Sequence, residues 1–170
     1  DFLGQPLRLA RFDPDVRRIA DRQWTKELES RTAFADAFPL LVTSSPSLNE
    51  LNRRLAAAGH DAVTVQRFRP NIVLDGIDDA HGEDFIDTLT LESPDGPVLL
   101  KLVKPCSRCS IPDIDPTTAV PGHTVTDAMS AYRANERVGG ALAFGQNAVI
   151  VSGVGHRLRG TNCRCCRAAG

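Results

Sequence analysis

"DFIDTLTLESPDGPVLLKLVKP", residues 84–105, alternates apolar and polar positions on both sides of "SPDG". Alternation at period two is the pattern of strands with one buried face, and a turn signal between two such runs reads as a β-hairpin. Upstream, "FPLLVT" (38–43) is a continuous apolar run of strand length, which suits a strand buried on both faces. "AVTVQRFRPNIVLDG" (62–76) reads as two strands meeting at Pro70, with Ile72, Val73 and Leu74 buried beyond it. "GQPLRLARF" (4–12) reads as a short strand alternating at Leu7 and Leu9, and "GALAFGQNAVIVSG" (140–153) ends in a buried strand.

Two segments carry a helical signature instead. In "SSPSLNELNRRLAAAGH" (44–60), Ser45 is the expected N-cap and Pro46 suits the first helical position. Leu48, Leu51 and Leu55 recur at helical spacing, and Gly59 stops the run. "TVTDAMSAYRANE" (124–136) predicts a second helix, capped at Thr124 or Thr126. Residues 13–37 are polar and irregular, with Trp24 the only tryptophan. Strands outnumber helices and no regular βαβ unit or internal repeat is present. The expectation is a β-rich barrel or α+β domain rather than a doubly wound sheet.

With 170 residues the chain is long enough for one domain, or one domain and part of another. Its net charge of -1 gives no global field that would draw in nucleic acid or an anionic membrane. No apolar run approaches the roughly 18 residues of a membrane span, and no signal-peptide pattern opens the chain. It begins at Asp1 rather than Met and reads as a fragment or a processed form. Five cysteines in two clusters, 106 and 109, then 163, 165 and 166, suit reduced thiols in a cytoplasmic compartment better than a disulfide framework. The final stretch, "GVGHRLRGTNCRCCRAAG" (153–170), has no periodicity and reads either as a metal-binding tail or as a non-native end.

"KPCSRC" (104–109) admits three chemistries. Zinc would take Cys106 and Cys109 with His123 at a finger-like interval, but positions 127 to 129 are Asp, Ala and Met. The remaining ligands would have to come from the tail cysteines. A thioredoxin-like redox pair belongs at a helix start, whereas "SIPDIDP" follows here with two prolines. A single thiolate, stabilised by Arg108, Lys101 and Lys104, would be a good soft-metal ligand. The basic cluster "RFRPN" (67–71) could converge on the same place and hold an anionic cofactor. Asp113 and Asp115 in "PDIDP" read as turn aspartates capping backbone N–H groups.

"RFRPNIVLDG", "KPCSRCSIPDIDP" and "FGQNAVIV", preceded by "FADAFPLLVTSSPSLNELN" (34–52), resemble in this order the MOSC domain, named for the molybdenum cofactor sulfurase C-terminal region. The resemblance runs from about residue 2 to 152. It is nearest the branch of bacterial YcbX-like proteins and the mitochondrial amidoxime-reducing component. It implies a MOSC-type β-barrel with a few peripheral helices, incomplete at both ends. The domain would fill 1–152, with the end of a preceding N-terminal barrel region in 1–37 and an atypical Arg/Cys-rich tail in 153–170. It implies a molybdopterin-type molybdenum cofactor with Cys109 as the metal ligand, Cys106 as its neighbour, and contacts from Arg69, Asn71, Ser107 and Arg108. Asp36 matches a position near the metal in some members. Pyridoxal phosphate binding is a further family-level association.

The implied activity is reduction of N-hydroxylated small molecules. Electrons would come from a separate iron–sulfur or flavin protein, since the chain has no dinucleotide-binding glycine fingerprint of its own. No stable nucleic-acid partner and no membrane span are expected. Two alternatives stay open: a sulfur carrier holding a persulfide on Cys109, and a structural zinc module built on Cys106, Cys109 and the tail cysteines. Relatives usually close with a "G-x-I-x-V-G-D" strand, replaced here by the tail, so an uncovered sheet edge is expected.

Overall fold

The hairpin forms, and it lies within a larger sheet. In the computed structural model, which describes Gly4, residues 6–156 and the backbone of 163–167, six strands share one sheet. They are β1 (Leu40–Ser44), β2 (Ile72–Leu74), β3 (Ile86–Leu91), β4 (Val98–Ser107), β5 (Ala143–Ser152) and β6 (Cys163–Arg167). Their order is β2-β1-β5-β4-β3-β6, with β1 and β2 parallel and every other pair antiparallel. The hairpin register pairs Leu91 with Val98 and Thr88 with Lys101. No ladder among the described residues joins β2 to β6, so the fold is a β-rich α+β sheet that stops short of a closed barrel.

One core cluster fills a face of this sheet with Val42, Leu74, Leu89, Leu100, Leu102 and Ala148. The other main cluster lies between the sheet and the helices α2 (Ser45–Ala57) and α3 (Thr124–Ser130), where Leu51, Leu55, Phe68, Val125, Met129 and Phe144 meet. Phe68 and Phe144 stack there with ring centroids 3.9 Å apart. A single helical turn, α1 (Arg22–Thr25), places Trp24 against a third cluster that includes Phe38, Val103 and Val149.

Helix α2 starts one residue earlier than expected. The hydroxyl of Ser44, not Ser45, accepts from Ser47 N, and Pro46 sits in the first turn. It ends as the sequence predicts: Gly59 takes φ +79, and the amides of Gly59 and His60 return to Ala56 O and Leu55 O in a Schellman arrangement.

Five expectations are corrected. Residues 6–12 form no strand, and Leu7 and Leu9 are exposed, because the alternation has no neighbouring ladder to join. The first strand expected in 62–76 is a 3-10 turn, Val65–Phe68, closed by Arg69 at φ +55. Beyond Pro70, β2 has only three residues, and Val73 faces solvent because a sheet edge covers one face alone. Neither threonine side chain caps α3; the carboxylate of Asp113 accepts from Val125 N (2.9 Å) and Thr126 N (3.0 Å) instead. Finally, the edge expected to be bare is covered: β6, from the tail, pairs with β3. The rest of the tail, 157–162 and 168–170, lies outside the described residues, as do 1–3 and 5.

Candidate functional site

Strand β4 runs out of the sheet at Ser107, which pairs with Ala143 at the start of β5. Between this pair and Pro105–Gln146 the register shifts, and the extra residue belongs to β5, where Gly145 has φ +77. Such a bulge turns the end of a strand away from its ladder. Cys109 then stands exposed in the loop between β4 and the 3-10 turn Ile111–Asp113.

Arg108 fastens this loop. Its amide donates to Leu142 O (2.8 Å), Nη2 donates to Phe68 O (3.0 Å), and Nη1 donates to Cys106 Sγ (3.1 Å). The guanidinium carbon lies 5.4 Å from the centre of the Phe68 ring, while Nε is buried without a hydrogen-bond partner. The arginine expected to stabilise the ligand thiolate therefore touches Cys106, leaving Cys109 free of it. The lysines are engaged elsewhere: Lys101 pairs with Asp87 (3.1 Å), and Lys104 lies over the rings of Trp24 and Phe38.

The basic motif divides its labour. Arg67, with 15% of its side chain exposed, donates to Pro112 O (3.3 Å) and Asp115 Oδ2 (3.0 Å), tying the turn at 65–68 to the segment after Cys109. Arg69 is exposed in the left-handed conformation and makes no ion pair with a described residue. Asn71 extends the parallel pairing of β1 and β2: its amide donates to Leu41 O (2.9 Å), and its Oδ1 accepts from Leu41 N (2.8 Å). That leaves the Asn71 side-chain NH₂ as the group available to a ligand. Asp113 and Asp115 act as caps, Asp115 accepting from Thr117 N (2.8 Å) and Thr118 N (3.1 Å).

The bond from Arg108 to Phe68 O thus brings the segment of Arg69 and Asn71 against that of Ser107 and Cys109. Asp36 is exposed, five residues before Leu41, and among the described residues no hydrogen bond or ion pair joins it to Arg69, Arg108 or Cys109. Its backbone carbonyl, with those of Ala33 and Ala35, is gripped by the guanidinium of Arg18. Among the described residues no group of three or more His, Cys, Asp or Glu side chains is placed to hold a metal.

Sequence reasoning missed the support behind Arg108. Arg133 is buried, with Nε on Ala143 O (2.7 Å) and Nη2 on Asp84 (2.8 Å), and Gln146 donates to the same carboxylate (2.7 Å). Three residues scattered over 62 positions leave no local pattern to read. Two concavities, of about 430 and 480 Å³, are lined by other residues, and Cys109 is exposed. The arrangement offers one exposed soft donor beside exposed guanidinium and amide donors, which suits a soft metal carried by an anionic organic group.

Residues 29–159 match the MOSC domain family. The chain is 39% identical over 122 residues to human "Mitochondrial amidoxime-reducing component 1", covering 69% of this chain and 33% of that protein. It is 36% identical over 118 residues to the mouse protein of the same name, covering 68% and 32%. It is 33% identical over 132 residues to human "Mitochondrial amidoxime reducing component 2", covering 76% and 37%. The chain spans about a third of the length of these curated relatives. No helix among the described residues is long and apolar enough to cross a membrane.

Proposed function

The chain belongs to the MOSC domain family, and we propose that it carries the molybdenum site of an oxidoreductase acting on N-hydroxylated small molecules. The domain responsible is 1–152, followed by the atypical Arg/Cys-rich tail 153–170, whose strand β6 adds to the edge of the sheet. The observation that carries the reading is the exposed Cys109 thiol, engaged by no other described group, beside the segment that presents Arg69 and Asn71.

The residues present fit a molybdopterin-type cofactor. Cys109 would supply the protein thiolate, and Arg69 and the Asn71 NH₂ would donate to the anionic organic part. The buried Arg108 Nε is a donor still lacking an acceptor, and Ser107 adds an exposed hydroxyl. Arg108 keeps the Cys109 loop against Phe68, and Arg18 keeps the loop of Asp36 in shape, while the place of Asp36 near the metal rests on the family resemblance alone. When bound, the cofactor supplies the two-electron centre at which an N–O bond is reduced to N–H and water. Those electrons are assigned to a separate iron–sulfur or flavin protein. Free Cys106 and Cys109 suit a reducing compartment, and the cytoplasm is the proposed location, although the relatives' names describe mitochondrial proteins.

A second reading, a sulfur carrier with a persulfide on Cys109, is favoured by the exposure of that thiol, where a partner protein can reach it. One experiment separates the two: metal and labile-sulfide analysis of the chain expressed in a host that makes the cofactor. The first reading expects about one molybdenum per chain, lost in Cys109→Ala and kept in Cys106→Ala. Equal loss from both variants refutes the ligand assignment. Sulfide released by mild reductant from metal-free protein supports the carrier.

A further inference from the structure

Away from Cys109, the 430 Å³ concavity lies between α1 and the middle of β4, with Trp24, Leu102 and Val103 as its apolar wall. Its rim is cationic. Lys26 and Arg137 line it, Lys104 Nζ lies 5.3 Å from the centre of the indole, and the Arg137 guanidinium carbon lies 5.8 Å from it. None of these three is in an ion pair with a described residue, whereas Lys101 on the same wall is matched by Asp87. Lys26 and Arg137 thus line the concavity without an ion-pair partner among the described residues, and Lys104 adds a cation over the indole that walls it, a local excess in a chain whose net charge is -1. Lys26 is held there by backbone at φ +55 and ψ -119, a region that costs a non-glycine residue energy and persists only where the surroundings impose it.

We propose that this concavity binds a phosphorylated small molecule with an apolar body, at a site separate from Cys109. Its volume falls in the range of small-ligand pockets, and the mix of an apolar wall with a few converging polar groups is what such sites use. A phosphate suits the rim better than a carboxylate. Its three terminal oxygens can accept from lysine and arginine donors approaching from different sides, and its second charge answers an excess of more than one cation. The body of the ligand would cover Leu102, Val103 and the indole. The inference does not depend on the reading of Cys109.

Trp24 is the only tryptophan, so its emission reports on this site alone. Phenyl phosphate is the smallest probe with both features, and inorganic phosphate and phenol are its two halves. Titrating the full chain with phenyl phosphate should change Trp24 emission saturably, with a half-saturation about tenfold or more below that of either half. Arg137→Gln and Lys26→Gln, both at exposed positions, should each weaken it about tenfold, while Cys109→Ala leaves it unchanged. No saturable change overturns the proposal. So does a half-saturation that both rim variants leave untouched, or one no better than inorganic phosphate alone.

Discussion

Gly145 stands where β5 swings past β1, and a Cβ there would lie 2.5 Å from Val42 O and 2.7 Å from Thr43 Cγ2. Its φ of +77 alone would cost an alanine about 1–2 kcal/mol, and a backbone carbonyl cannot rotate away as a side chain can. Gly145→Ala should therefore destabilise the chain by more than about 2 kcal/mol, read as a lower urea midpoint at unchanged slope. His81 is a different kind of special residue. It is buried with both ring nitrogens unpartnered, and burial, then the nearby Arg133 charge, lowers its pKa to about 4. In the unfolded chain it returns to about 6.5. Between those values the unfolded state binds a proton that the folded state refuses, so stability falls as pH drops from about 6.5 to about 4, then levels off. The full contribution is about 3 kcal/mol. Glu50, held to about 2 by Arg53 and then Arg54, loses its share as pH falls from its ordinary 4.5 toward about 2, overlapping only the acid end of the His81 window. Urea midpoints measured from pH 7 to pH 4 should slope in the wild type and flatten in His81→Asn, since asparagine tolerates the φ of +61. Equal slopes would show that His81 titrates normally.

The elements around Cys109 depend on one another through α3. The chain after α3 carries Arg133 to Ala143 O, Asp84 and Gln146 steady that guanidinium, and the neighbouring Leu142 O receives the amide of Arg108. Arg133→Leu leaves the Asp84 carboxylate with only Gln146. The expected loss is about 2–3 kcal/mol, less than for a fully buried pair because Asp84 keeps some exposure. Amide hydrogen exchange at Arg108 should quicken at the same time, and Arg133→Leu combined with Asp84→Leu should recover part of the stability. If exchange at Arg108 is unchanged, the clamp supports the sheet but not the loop. None of this was legible beforehand, whereas the hairpin and α2 were. Period-two alternation and a capped apolar stripe are local signals. The cap on α3 comes from Asp113, twelve residues before Val125, and no window over the helix contains it. "RFRPN" likewise presents two similar arginines, and only packing against Pro112 and Asp115 separates the tethered Arg67 from the exposed Arg69. The two cysteines are divided the same way, because the Arg108 guanidinium folds back on Cys106.

At the scale of the whole sheet, the position of β6 bears on whether the two cysteine clusters can share a metal. Cys163, Cys165 and Cys166 pair with Leu91, Leu89 and Thr88 of β3, and Thr88 pairs in turn with Lys101 of β4. Cys106 lies five residues beyond Lys101 and two strands away from β6. At about 3.3 Å per residue and 4.8 Å per strand, its Cα is roughly 19 Å from that of Cys166. Sulfurs sharing a tetrahedral zinc lie within roughly 4 Å of each other, which leaves far more distance than two cysteine side chains can span. A site joining the clusters would require β6 to leave the sheet and uncover the edge of β3. Structural zinc contributes folding energy outright, so its removal unfolds a domain built on it. Here β4 and β5 pair along their length, and the clusters around Leu100 and Phe68 are built, among the described residues, from side chains outside the tail. Treating the chain with a strong chelator should therefore leave its far-UV circular dichroism and its urea midpoint unchanged. Cys163→Ser, Cys165→Ser and Cys166→Ser together should not alter how tightly Cys109 holds metal. A collapse of the spectrum on chelation, restored by adding back zinc alone, would mean that the clusters do meet and that β6 is not where this sheet places it.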